Sequence, residues 1–270
     1  MAGNSRECGR SVTARALSVL TAFDADHPAL TLTEIARAAE IPLATAHRLV
    51  GELEAWGALH RDSAGTYSIG LRLWEIGLLA PVHAKLRRAA LPPMRELHDA
   101  SGDNVHLAVR DGFHAVYVDK LAASRSAPII SRTGARLPLH ATGVGKVLLA
   151  HAPPAVVREY CDGGLLRHTS YTITEPGRLA QEMTSVRARG FGQTNEEMTL
   201  GNCSVAVAVR DGADRVVAAL GVVAHSVRAD PAKLVKPLLP AAREIRQRLL
   251  QQERDAEVSG PATAAERAAE

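Results

Sequence analysis

Aromatic residues are scarce, 3% of 270 positions, and cysteine occurs only three times. Cys8, Cys161 and Cys203 are odd in number and lack CxxC or related spacing, which argues against a disulfide framework and a thiolate metal cage. They read as small apolar filler plus one thiol in a loose tail. Long apolar runs are missing too: Arg, Asp, Gly or Pro interrupts each of them well short of the ~18 residues a membrane helix needs. The opening MAGNSRECGRSVTARALSVL holds no apolar core ahead of a small-residue cleavage site, so no secretory signal is expected and a cytoplasmic address is predicted. Neither charge sign dominates, with 32 Lys+Arg against 29 Asp+Glu. What is present, 46% hydrophobic and 23% charged residues, is an ordinary globular composition that excludes chain-wide disorder and a fibrous repeat.

Composition and periodicity divide the chain near residue 80. Residues 11–80 read helix, helix, helix, hairpin: Thr13–Phe23, Leu32–Ala39 and Leu43–Trp56, then two brief strands around Gly65. Residues 81–252 open with a helix from about Val82 to Ala100. The apolar alternation of NVHLAVRDG and HAVYVDKL then marks an antiparallel hairpin turning at Asp111-Gly112-Phe113. LPLHATGVGKVLLAHA reads as a loop entering a helix. It is followed by a helix over Pro176–Arg189, the strand pair CSVAVAVRDGADRVVAALGVVA and a last helix over Pro231–Gln252. Strand pairs framed by helices predict an α+β domain on an antiparallel sheet. Residues 253–270 are polar and Ala-rich, and a disordered tail is expected there.

LTEIARAAEIPLATAHRLVGELEAWG carries the most information. Ala46, Leu49, Val50 and Leu53 repeat at i, i+3, i+4, i+7, Pro42 suits a first helical turn, and small Ala36 lies where two helices joined by so few residues must approach. That is a helix-turn-helix. The opposite face of the third helix shows Leu43, Ala44, Thr45, His47, Arg48 and Gly51. Arg48 can take a guanine bidentately or a phosphate, Thr45 and His47 can bond a phosphate or base edge, and Ala44 and Gly51 allow close approach. The alternative is a merely solvated face. The Gly-centred hairpin GALHRDSAGTYSIG argues for DNA, since it carries His60, Arg61 and Thr66 as a wing able to follow the backbone or enter the minor groove. Charge argues the other way: residues 1–80 hold seven Arg, no Lys and nine acids, a balance of −2. A single copy should bind duplex weakly, so dimerisation onto two half-sites is expected.

The run LTLTEIARAAEIPLATAHRLVGELEAWGALHRDSAGTYSIGLRLWEIG, then RLPLHATGVGKVLLA, then NEEMTLGNCSVAVAVRD with VVAALGVV, resembles the IclR family of bacterial transcriptional regulators over about residues 12–250. The resemblance implies a winged helix-turn-helix, a linker helix with dimer contacts and a GAF-like effector-binding domain. It also implies a homodimer or dimer of dimers on a pseudo-palindromic double-stranded DNA operator. Two departures stand out. Glu40 occupies a helix turn where the family usually has Gly, so a left-handed backbone there would cost about 1 kcal/mol, or the turn differs. Leu43-Ala44 stands where Lys-Ser is common, which removes a charge and a hydroxyl from the groove face.

In LPLHATGVGKVLLAHA the GxGK invites a nucleotide reading that fails: GxxxxGK[ST] needs glycine at His140 and a hydroxyl residue at Val147. A helix start at Thr142–Val144 fits better, with free N–H groups able to hold a small anion and Gly143 allowing close approach; the alternative is Thr142 as an ordinary N-cap. The resemblance implies that Gly143 and Val144 grip a small carboxylate, that Thr194 or Asn195 and Ser204 add polar contacts, and that Gly221, Val223 and Ile129 form the walls. Gly221 and Val223 stand where hydroxyl residues are frequent, so the expected effector is an anion with a largely apolar body, aromatic or branched, rather than a glyoxylate-like acid.

His106, His114, His140, Asp103 and Asp111 lack metal-ligand spacing, and Ser204 lacks a GxSxG elbow, so structural roles, no cofactor and no catalysis are expected. Lys85, Arg87 and Arg88 read as a solvated helix face or a phosphate contact. The expected function is a DNA-binding regulator, with repression favoured by family tendency. The alternative is a small-molecule-binding module or enzyme whose helix-turn-helix serves protein contacts.

Overall fold

The computed structural model describes residues 10–80, 82–123, 132–227 and 230–258, and the chain divides after Ala80 into two units. In the first, α1 (Val12–Leu20), α2 (Leu32–Ala38) and α3 (Leu43–Trp56) enclose a core that includes Val19, Ile35, Ala46, Leu49 and Val50. A capping box starts α2: Glu34 N–H donates to Thr31 Oγ1 at 3.4 Å, and Thr31 N–H donates to Glu34 Oε2 at 2.8 Å. Between α2 and α3 the chain turns through Glu40 at φ 52°, the left-handed conformation that glycine would favour. Arg10 Nη2 fastens this turn by donating to Ala39 O (3.0 Å) and Glu40 O (2.8 Å). Helix α3 ends at Gly57, φ 87°, as a left-handed cap.

Three short strands, β1 (Ala29–Leu30), β2 (Leu59–Arg61) and β3 (Tyr67–Ile69), form a sheet in the order β1-β3-β2. The wing is therefore backed by a strand the sequence did not announce. Asp62 Oδ1 accepts from Ala64 N (3.0 Å) and Thr66 N (2.8 Å), which shapes its tip. A fourth helix, α4 (Leu71–Leu78), follows where no helix was expected.

The second unit begins with a π-helical turn, Val82–Leu86, running into α5 (Arg87–Ser101). Its strands are β4 (Asn104–Asp111), β5 (His114–Leu121), β6 (Arg136–Pro138), β7 (Phe191–Asn195), β8 (Asn202–Arg210) and β9 (Val216–His225). They pair antiparallel in the order β6-β5-β4-β9-β8-β7. The helices are α6 (Gly143–Ala150), α7 (Pro154–Asp162), α8 (Pro176–Arg189) and α9 (Pro231–Val258). Helices α5 and α9 cover one face, packing on Val205, Val207, Val209, Leu220 and Val222. Helices α6, α7 and α8 lie over the other, where Ala108, Ala206 and Ala219 leave room for α6.

This is an α+β fold with an antiparallel sheet between helical layers. The last helix corrects one expectation: it runs on to Val258 rather than ending at Gln252, so residues 253–258 are not a loose tail. Two contacts explain the extension. Gln251 Nε2 donates to Asp255 Oδ1 at 2.7 Å, and Leu250 and Glu253 lie against Gly212 in the β8–β9 turn. Residues 259–270 fall outside the described residues.

Candidate functional site

On α3, Ala44, His47 and Arg48 are exposed and Thr45 is half-buried. On β2, His60 and Arg61 are exposed, and the Arg61 guanidinium lies 5.4 Å from the Tyr67 ring centroid across the hairpin. The two predicted surfaces, helix face and wing, are thus both open to solvent. One partner was not foreseen: Arg48 Nη1 meets Glu52 Oε1 at 2.5 Å, one turn along the same helix.

In the second unit, one cavity brings together Gly143, Val144, Thr194, Ser204, Gly221 and Val223. Thr142 caps α6 by accepting from Gly145 N at 3.1 Å. Gly143 N–H donates to Ser204 Oγ at 3.1 Å, and Ser204 Oγ lies 2.5 Å from Thr194 Oγ1. Nothing among the described residues accepts from the Val144 N–H. The first turn of α6 therefore offers one donor tied to a movable hydroxyl and one unspent donor, at the positive end of the helix dipole. A Cβ on either cavity glycine would crowd a neighbour, lying 2.7 Å from Ser204 Oγ at Gly143 and 2.9 Å from Val144 Cγ1 at Gly221.

Asn195 does not join this cavity. It is exposed and opens on a separate groove beside Lys146 and Glu197, because neighbouring residues of β7 point to opposite faces. Ile129 lies outside the described residues. Several residues of the cavity wall were not assigned to it from the sequence, among them His106, Tyr117, Met198, Thr199 and Asn202. The signal for both His106 and Tyr117 was parity: His106 shares a face with Ala108 on β4, and Tyr117, in step with Ala115, pairs with Ala108 in the register set by the hairpin turn.

His106 and Tyr117 meet edge to face at 5.1 Å between centroids. Burial, with the Lys120 charge adding to it, pushes the His106 imidazole down to about 3, so it is neutral near pH 7. Burial likewise raises the Tyr117 phenol. The walls described thus carry no full charge. Cys203, beside Ser204, is buried with its thiol pushed up by burial, which keeps it protonated and poorly nucleophilic.

A helix-turn-helix with an accessible wing, joined to a domain holding a neutral, hydrogen-bonding cavity, defines a transcriptional regulator that binds DNA with one unit and a small molecule with the other. The chain belongs to the IclR family of bacterial transcriptional regulators: residues 12–63 match the IclR helix-turn-helix domain and residues 80–247 match the bacterial transcriptional regulator IclR C-terminal family. It is 31% identical over 242 residues to the HTH-type transcriptional regulator BhcR of Paracoccus denitrificans, covering 86% of this chain and 84% of the relative. It is 30% identical over 233 residues to the HTH-type transcriptional repressor AllR of Klebsiella pneumoniae, covering 86% of each. The crystal structure of an IclR homolog from Microbacterium hydrocarbonoxydans, complexed with 4-hydroxybenzoate, superposes with a TM-score of 0.85 at 32% identity, over 89% of this chain and all of that one. These relatives are regulators and not enzymes. Among the described residues no helix is long and apolar enough to cross a membrane.

Proposed function

We propose that this regulator is a cytoplasmic repressor whose effector is a small carboxylate with an apolar, aromatic or branched body. The Gly143 and Val144 N–H groups take the carboxylate, Thr194 and Ser204 supply hydroxyl partners, and Gly221 and Val223 form the wall. The unspent Val144 N–H in a cavity without charged walls carries this reading, since an anion there gains backbone donors and the helix dipole. His106 and Asn202 give a polar substituent on the body somewhere to bond. The 4-hydroxybenzoate held by the structural neighbour is an acid of this class. Calorimetric titration with benzoates, branched acids and short hydroxy- or oxo-acids tests it; binding confined to the last group would refute it.

On DNA, Ala44, Thr45, His47 and Arg48 occupy the major groove and His60 and Arg61 brace the wing on the backbone. Assembly into a homodimer, or a dimer of dimers, is supported by α4 and its C-cap, where Leu71, Trp74 and Leu79 are 68%, 60% and 79% exposed. Arg48→Ala should weaken binding to a fragment of the protein's own promoter by about 1–3 kcal/mol. Gel shifts at several salt concentrations measure this, and unchanged affinity would remove Arg48 from the recognition set.

A further inference from the structure

Lys146, one turn along α6 from Gly143, is 1% exposed yet takes no part in the cavity or in the function proposed above. Its Nζ donates to Gln193 O on β7 at 3.0 Å and to Glu197 Oε1 at 2.7 Å. It also lies 3.6 Å from Glu182 Oε1 on α8, a carboxylate already held by Arg189 Nη2 at 2.7 Å. One ammonium therefore joins α6, β7, α8 and the segment that carries Glu197.

That segment, between β7 and β8, is sharply bent. Glu196 has φ 58°, a left-handed conformation unfavourable for a residue with a side chain, and Gly201 has φ 79°. Hydroxyls pin it from outside: Thr169 Oγ1 donates to Glu196 O at 2.7 Å, Thr172 Oγ1 to Glu197 O at 2.6 Å, and Ser226 Oγ to Glu196 Oε1 at 2.7 Å. The next two residues, Met198 and Thr199, are cavity walls.

Stability alone does not account for the charge. Desolvation offsets most of what a buried ion pair gains, and here Glu197 Oε2 is buried with no partner among the described residues. Fixing one arrangement over others is the better-supported use of such a pair. Its two ends are rooted on the two sides of one cavity: the helix whose first turn holds the anion donors, and the residue just before Met198.

We propose that Lys146 is a positioning residue for effector binding: through Glu197 it holds the 196–201 segment against α6, so that Met198 and Thr199 close on a ligand anchored at the α6 N-terminus. The proposal rests on the cavity being the effector site.

The test uses the full-length protein with Lys146→Met, which keeps the unbranched stem as far as Cε and removes the charged Nζ, and with Glu197→Gln. Amide hydrogen exchange needs no ligand. In Lys146→Met the amides of residues 198–201 should exchange at least about tenfold faster than in the parent, with those of β8 and β9 unchanged. 4-Hydroxybenzoate, used as the probe, should bind about tenfold more weakly to both variants. Unchanged exchange at 198–201, or acceleration spread evenly over the domain, would overturn the proposal, as would parent-like probe affinity in variants whose segment has loosened. If the parent itself ignores the probe, the effector assignment fails separately and exchange still decides the positioning role. If Lys146→Met does not fold, Glu197→Gln carries the same comparison.

Discussion

Gly221 stands where a hydroxyl-bearing residue would give the cavity another polar partner, so Gly221→Ser is the natural attempt to broaden its ligand range. The geometry predicts that the attempt fails alone. A Cβ at this position would sit 2.9 Å from Val144 Cγ1, 3.2 Å from Ala206 Cβ and 3.2 Å from Val205 O. Comfortable carbon contacts lie at roughly 3.5–4.0 Å. The backbone carbonyl and the Ala206 methyl cannot rotate away, so Val144 must leave its rotamer or shift its place at the start of α6. Overpacking of this kind costs about 1–3 kcal/mol.

Val144→Ala removes the colliding methyl and by itself should cost about 1–2 kcal/mol in lost burial. The two changes share one space, so the double variant should be more stable than the sum of the singles predicts, by about 1–2 kcal/mol. Urea unfolding followed by far-UV circular dichroism reads these differences. Both tryptophans, Trp56 and Trp74, belong to the N-terminal unit, so their fluorescence serves as an internal control that should not change. A Gly221→Ser protein as stable as the parent, or strict additivity in the double variant, would refute the account of why this position is glycine.

Glu40→Gly should stabilise the N-terminal unit by about 0.5–1 kcal/mol: the left-handed turn costs a residue with a Cβ about 1–2 kcal/mol, and part of the gain is returned through the greater freedom of glycine in the unfolded chain. The same tryptophan fluorescence measures it, and a lower urea midpoint would show that the Glu40 side chain supports the turn in another way. His106 makes stability fall as the solution is acidified. Its folded-state value, about 3, lies below its ordinary 6.5, so the unfolded chain binds the extra proton first. Its contribution is whole above pH 6.5 and declines toward pH 3, with about 2 kcal/mol gone at pH 5. Burial also lowers His140, so the informative quantity is the difference between the parent and His106→Asn across pH 5–7.5 in thermal unfolding. Parallel curves would refute the assignment.

The elements legible in the sequence are those whose signals are local. Helix α3 matches its expected span because Pro42 precedes it, Gly57 caps it and one apolar stripe runs between them. Glu40 could be named as a strained turn because it stands where the family that the chain resembles usually has Gly, and the turn is left-handed, at φ 52°. Helix α4 escaped because it is only eight residues long and starts one residue after β3, where its apolar positions merge with those of the hairpin. Within the candidate site, the choice between Thr194 and Asn195 was open until the pleat of β7 turned one toward the cavity and the other away. Lys146 was legible only as the lysine of a phosphate loop that was not there. Its true partner, Glu197, comes from a distant segment, and no spacing within α6 could indicate it.

The central seam of the six-stranded sheet pairs β4 with β9, setting Asn104 opposite Val223, so most of the domain's chain lies between partners that must meet. Closing so long a loop is slow, and its entropy is regained only once the late hairpin of β8 and β9 exists. A ribosome making this protein therefore releases a helix-turn-helix unit able to fold while the sensor is still an open chain. For that interval the nascent polypeptide has a DNA-facing surface and no means of hearing a metabolite. Truncation anywhere ahead of β9 would make the condition permanent.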